Sequence, residues 1–140
     1  MRIAIVAALL AALLGACAMQ KKDPPPKPFH GTKWKADLEL PVAGEQPWVR
    51  FGDGRMEGFG GCNQVAARYV QDAVGARAIA VGRIDRGTRS CDPGTQAAEA
   101  RLLEVLQSVS SYVIVIDLMT MSGSAGQVKF RSDPPAEIPK

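Results

Sequence analysis

The chain has 140 residues, 46% of them hydrophobic, which suits one modest globular domain and excludes two of full size. Its 17 Lys plus Arg and 14 Asp plus Glu leave a net charge of +3 from interspersed signs rather than a basic block. The footprint that phosphate backbones require is missing, so no nucleic-acid partner is expected. One His and 6% aromatic residues also argue against a multi-His metal site and an aromatic stacking platform, and no metal or cofactor is expected.

Met1 and Arg2 precede an apolar run from Ile3 to Leu14. The run has the length of a signal-peptide core and is too short to cross about 30 Å of hydrocarbon, which takes roughly 20 residues. It ends in Leu14-Gly15-Ala16-Cys17, which resembles the bacterial lipobox. Residues 1–16 therefore read as a signal peptide and Cys17 as a lipidated first residue, tethered to the membrane by palmitate-type acyl chains. Ala18 after the cysteine, rather than Asp, resembles the sorting pattern of outer-membrane lipoproteins that face the periplasm. The remaining cysteines, Cys62 and Cys91, form an even pair in an oxidising setting, where a disulfide is the default. Closing a loop of that length stabilises a small domain by roughly 3–4 kcal/mol. Their spacing is not the C-x-x-C of a redox pair.

Residues 17–30 read as a linker in which Pro24, Pro25, Pro26 and Pro28 favour an extended spacer reaching on the order of 35–40 Å from the lipid surface. Lys21, Lys22, Lys27, Lys33 and Lys35 sit near it, and the lone His30 ends it as an exposed residue with no catalytic partner. From Lys33, alternation places Trp34, Ala36, Leu38 and Leu40 on one face, as in a half-buried strand. Trp48 to Phe51, the turn residues Gly52-Asp53-Gly54, and Arg55 to Phe59 read as a hairpin. Shorter strands are expected at Ala67 to Gln71, Arg77 to Val81 and Arg83 to Thr88.

Asp92 and Pro93 carry the signature of a helix cap and first helical position. The helix that follows turns Ala98, Leu102, Val105, Leu106 and Val109 inward and leaves Glu99, Arg101, Glu104 and Gln107 to water. Tyr112 to Met121, with four successive β-branched residues, reads as one strand buried on both faces at the centre of the sheet. A reversal at Ser122 to Gly126 leads into Gln127 to Arg131, and residues 132–140 read as a disordered tail.

Trp34 in an opening strand, the hairpin, Gly60-Gly61-Cys62-Asn63, Tyr69, Thr88 before Cys91, Glu99 on a Leu-rich helix, Leu118 and Phe130 together resemble the META domain of HslJ-type heat-shock lipoproteins over about residues 31–131. The resemblance implies an α+β fold, a strongly bent and mainly antiparallel β-sheet packed on one amphipathic helix. It also implies an envelope or stress role without an established reaction. The uninterrupted stretch Tyr112 to Met121 departs from relatives that turn before the final hairpin. Read as residues, Gly60 and Gly61 permit close backbone approach, Cys62 staples, and Asn63 and Thr88 satisfy backbone groups; the alternative reading of the same residues is a ligand-facing polar cluster.

Neither a Gly-x-Ser-x-Gly elbow nor a phosphate loop is present, and Asp53 with Glu57 reads as two acids on a solvated hairpin. The chain is therefore expected to be a non-enzymatic binding or structural module, anchored through Cys17, whose partner is an envelope protein. The alternative is a carrier of a small hydrophobic ligand or lipid in the periplasm, since a bent apolar sheet offers a cavity at its open side.

Overall fold

The computed structural model describes residues 22–39, 42–72 and 77–137. Cys17 and the apolar run before it lie outside them. Among the described residues, no helix is long and apolar enough to cross a membrane.

Among the described residues, nine strands and one helix follow in chain order: β1 (Lys33–Asp37), β2 (Trp48–Gly52), β3 (Arg55–Phe59), β4 (Gln64–Gln71), β5 (Ile79–Val81), β6 (Asp85–Arg86), α1 (Pro93–Ser108), β7 (Val109–Val115), β8 (Leu118–Gly123) and β9 (Gly126–Asp133). All named pairings are antiparallel, and the sheet runs β5-β4-β3-β2-β1-β9-β8-β7, with β6 beside β4. Its two ends approach each other. Ala78, just before β5, bridges Ser111 of β7, and Tyr112 donates its N–H to the Arg77 carbonyl at 2.9 Å. The result is a nearly closed antiparallel sheet with one helix, an α+β fold.

The inward positions of alternate strands fill the interior. Trp34, Ala36, Val49, Phe51, Met56, Met119, Met121 and Phe130 are fully buried and pack with Leu102, Val105 and Leu106 of α1. The helix begins as its cap residues dictate. Asp92 accepts from the Thr95 N–H at 2.9 Å and from the Thr95 hydroxyl at 2.7 Å, and Pro93 occupies the first turn, where its missing donor has no partner to lose. At its other end α1 passes straight into β7, with Val109 already extended.

Four expectations are corrected. Tyr112 to Met121 is not one central strand: it is divided by a turn at Ile116 and Asp117, and β7 lies at the end of the sheet order with Val113 and Val115 exposed. The β-branched run reads as doubly buried, but from Tyr112 to Val115 only alternate residues, Tyr112 and Ile114, face the core. The strand β4 starts at Gln64, earlier than expected, and the segment from Arg83 to Thr88 contributes only the two residues of β6. Ser132 and Asp133, assigned to a tail, instead pair with Trp34 and Lys33 at the end of β9.

The linker, too, ends sooner than expected. Residues 22–28 form no helix or strand, but Phe29 is buried, stacked on Phe51 at 4.5 Å and on Tyr112 at 4.4 Å between ring centroids. Its carbonyl accepts the Trp34 indole N–H at 3.2 Å, His30 bridges Phe51, and the Lys27 N–H bonds the Ile116 carbonyl at 2.7 Å. Residues 27–31 thus strap β2 to the β7–β8 turn.

Candidate functional site

The segment Gly60-Gly61-Cys62-Asn63 leaves β3 and meets the first turns of α1. Glu99, read as water-facing, is instead 1% exposed and forms the centre of this junction. Its Oε2 accepts the backbone N–H of Cys62 at 2.9 Å and of Asn63 at 2.7 Å; its Oε1 accepts the Asn63 side-chain amide at 3.0 Å and lies 3.6 Å from the Arg86 guanidinium. A buried carboxylate is tolerable only with such a set of donors and a countercharge. Consecutive N–H groups converging on one oxygen make an anion nest, and here the anion is the protein's own side chain.

Asn63 extends the network to the segment before the helix. Its Oδ1 accepts the Arg89 N–H at 2.7 Å, and its amide also donates to the Arg89 carbonyl at 3.3 Å. Cys62 and Cys91 are joined by a disulfide with Cα atoms 5.9 Å apart, which fastens the same two segments covalently.

The glycines are required by space and dihedral. A Cβ on Gly60 would lie 2.6 Å from Glu99 Oε2, and Gly61 has φ +114°, a region that L side chains rarely adopt. Thr88 is exposed, and the buried threonine of this region is Thr95 at the helix start, whose hydroxyl donates to Asp92. Sequence spacing contained a signal for Glu99 and Thr95. Thr95, Ala98, Glu99, Leu102 and Leu106 recur at helical spacing on one face, so the polar members share the buried stripe.

Every oxygen of Glu99 is engaged, and Asn63 uses both ends of its amide. This arrangement holds the chain together and presents no free base or nucleophile at the junction. Elsewhere, burial pushes the Tyr69 hydroxyl above its ordinary pKa of 10.0, keeping it protonated. Among the described residues, no group of three or more His, Cys, Asp or Glu is placed to hold a metal ion.

Clefts also lie outside the junction, two of them lined by described residues of the sheet and helix. One, of about 420 Å³, is lined by Gly31, Arg50, Phe51, Gly52, Asp53, Arg55, Glu57 and Arg68 on the outer face of β2–β4. The other, of about 670 Å³, runs between α1 and the strands β1 and β9, where Leu38, Ala98, Leu102, Val105 and Val128 meet Asp37, Glu39, Arg101 and Lys129. Asp53 and Glu57 are both exposed, Asp53 in the hairpin turn and Glu57 in a 3.8 Å ion pair with Arg50.

A family model described as META domain matches residues 27–134. The chain belongs to the META domain family. The matched span includes the Phe29 strap and the last two residues of β9, Ser132 and Asp133, the two parts that pattern reading placed outside the domain. A search of curated proteins finds no significant match. The NMR structure of a protein from Burkholderia xenovorans is similar in fold, with 17% identity and a TM-score of 0.61 over 81% of this chain and 95% of that one. A second NMR structure has 12% identity and a TM-score of 0.57 over 71% and 87% of the two chains. At these identities the likeness concerns fold alone. In this META domain, the motif Gly60-Gly61-Cys62-Asn63 and Glu99 form a structural junction.

Proposed function

We propose that this META-domain protein is a non-enzymatic, stress-related envelope lipoprotein. It is anchored through Cys17 at the periplasmic face of the outer membrane and acts there as a binding or structural module toward an envelope protein. The observation that carries this reading is the use of the cysteines. Cys62 and Cys91 are consumed in a disulfide, a bond that persists in oxidising compartments, and the remaining Cys17 directly follows a signal-like apolar run. The self-satisfied junction around Glu99 supports a scaffold over a reaction centre.

Replacing Cys17 with Ser tests the anchor. In cells fed labelled palmitate, the wild-type chain is expected to carry label and to sediment with membranes, and Cys17→Ser to lose the label and enter the soluble fraction. Retention of the variant in the membrane fraction would sink the anchoring claim.

The groove between α1 and β9 supports a second reading, a carrier of a small hydrophobic ligand or lipid. Leu38, Leu102, Val105 and Val128 supply an apolar floor there, whereas the barrel interior is occupied by Trp34, Phe51 and Phe130. Native mass spectrometry of the purified protein separates the two readings: a co-purifying lipid favours carriage, and an empty chain favours protein contacts.

A further inference from the structure

The outer face of the β2–β3–β4 sheet concentrates positive charge in an unusual way. Arg55 of β3 stands directly opposite Arg68 of β4, in a register where facing side chains come within about 5 Å of one another at Cβ. Like charges so placed repel. Among the described residues neither guanidinium has an ion-pair partner, although Lys35, Arg50, Arg86 and Arg131 are all paired with carboxylates. On the other side of Arg55, the facing residue on β2 is Gly52, where a Cβ would meet nothing within 4 Å. The missing side chain leaves the cleft of about 420 Å³ open beside Arg55 and Arg68, and Gly31 forms another bare part of its wall.

Arg50 borders the same cleft. Its guanidinium is held over the Trp48 ring at 5.6 Å and near Glu57, and its Nε is buried without a hydrogen-bond partner. Asp53 and Glu57 on the rim offset part of this charge, but Glu57 belongs to Arg50 and Asp53 sits in the hairpin turn. Two guanidinium groups without countercharges, backed by a third, present forked N–H donors that match a tetrahedral oxyanion. With Glu57 taken by Arg50, Asp53 still leaves the cleft with an excess of positive charge, and this excess and the small volume select a compact anion over an extended peptide.

We propose that Arg55 and Arg68, with Arg50 beside them, form a binding site for the phosphate group of a small phosphorylated molecule or lipid headgroup. Phosphate relieves the Arg55–Arg68 repulsion, so occupancy and domain stability rise together. The site lies in the folded domain and does not need the Cys17 anchor, so it stands or falls separately from membrane attachment.

The test uses the full chain in neutral detergent, titrated with inorganic phosphate at constant ionic strength and followed by calorimetry and thermal melting. Wild type is expected to bind saturably and to melt at higher temperature with phosphate. Arg55→Gln and Arg68→Gln should each weaken binding tenfold or more, while melting no lower than wild type without phosphate, because each removes a repulsion. Arg68→Lys keeps the charge but loses the fork, and should weaken binding less than Arg68→Gln. Arg83→Gln removes an exposed charge outside the cleft and should stay within about twofold of wild type. A short-chain, water-soluble phosphatidate that binds tenfold tighter than inorganic phosphate identifies a lipid source, and equal affinity identifies a free phosphate. Absence of saturable binding, or equal weakening by Arg83→Gln, would overturn the site.

Discussion

Glu99 determines how the Gly60–Asn63 segment meets the helix, and its surroundings make the carboxylate hard to replace. Every polar neighbour aims a donor at it: two backbone N–H groups, an amide N–H and the Arg86 guanidinium. Glu99→Gln preserves shape but turns one acceptor into a donor, so whichever way the amide lies, two donors face each other. An unsatisfied buried group of this kind costs about 1–3 kcal/mol, more where a charge was compensated. Glu99→Gln should therefore lower unfolding stability by about 2–3 kcal/mol in urea titration, with the disulfide intact. A change under about 0.5 kcal/mol would mean that the network contributes little. The importance of Gly60, Gly61 and Asn63 was legible in the sequence because glycines beside a cysteine imply crowding. The role of Glu99 was hidden by its charge, since an acid on an amphipathic helix is ordinarily assigned to water.

The helix start and the hairpin were readable because short-range chemistry decides them. Asp92 and Pro93 need only their own neighbours, and Asp53-Gly54, with φ of 52° and 71°, makes the tight turn that this dipeptide favours. The division of β7 from β8 was not readable, because Ile116 adopts φ +57°, a conformation uncommon for a β-branched residue. The turn there is imposed by contacts made at a distance: Lys27 bonds the Ile116 carbonyl, Ser132 the Asp117 carbonyl, and Arg131 pairs with the Asp117 carboxylate at 3.1 Å. Left-handed backbone costs an L residue roughly 1–2 kcal/mol, and Asn tolerates it better. Ile116→Asn is accordingly expected to stabilise by about 1 kcal/mol less the modest loss of its half-buried side chain, seen as a rise of a few degrees in melting temperature. A lower melting temperature would show that Ile116 contributes more by packing than it loses in strain.

The helix cap provides the pH response of this element. The Thr95 hydroxyl first, then the Thr95 N–H, hold the Asp92 carboxyl below its ordinary value of 3.8. A depressed folded-state value gives stability that is whole above pH 3.8 and is lost as pH falls through the lower folded value. The stability difference between wild type and Asp92→Asn should be flat above 3.8 and shrink below it. A difference that stays constant across this range would remove Asp92 as the titrating cap.

At the scale of the whole molecule, closure depends on parts far apart in sequence. The sheet ends β5 and β7 meet through the Ala78–Ser111 bridge, the disulfide ties the β3–β4 connection to the helix start, and the Phe29 strap crosses from β2 to the β7–β8 turn. The strap marks where a tether ends and a domain begins. Composition places that boundary after His30, since prolines and lysines dominate the segment, yet one aromatic residue overrides them by filling a gap between Phe51, Tyr69 and Tyr112. In the proposed lipoprotein, any pull transmitted from Cys17 along the Pro-rich spacer would reach the core first at Phe29. Truncating a buried Phe to Ala costs roughly 3–5 kcal/mol, and the strap's partial exposure puts Phe29→Ala at the lower end, about 3 kcal/mol. Pro25→Ala, at an exposed position of the spacer, should change stability by less than about 0.5 kcal/mol. Chemical denaturation of both variants compares the two segments directly. Equal and small effects would return Phe29 to the linker and leave β2 and β7 to hold that end of the barrel without it.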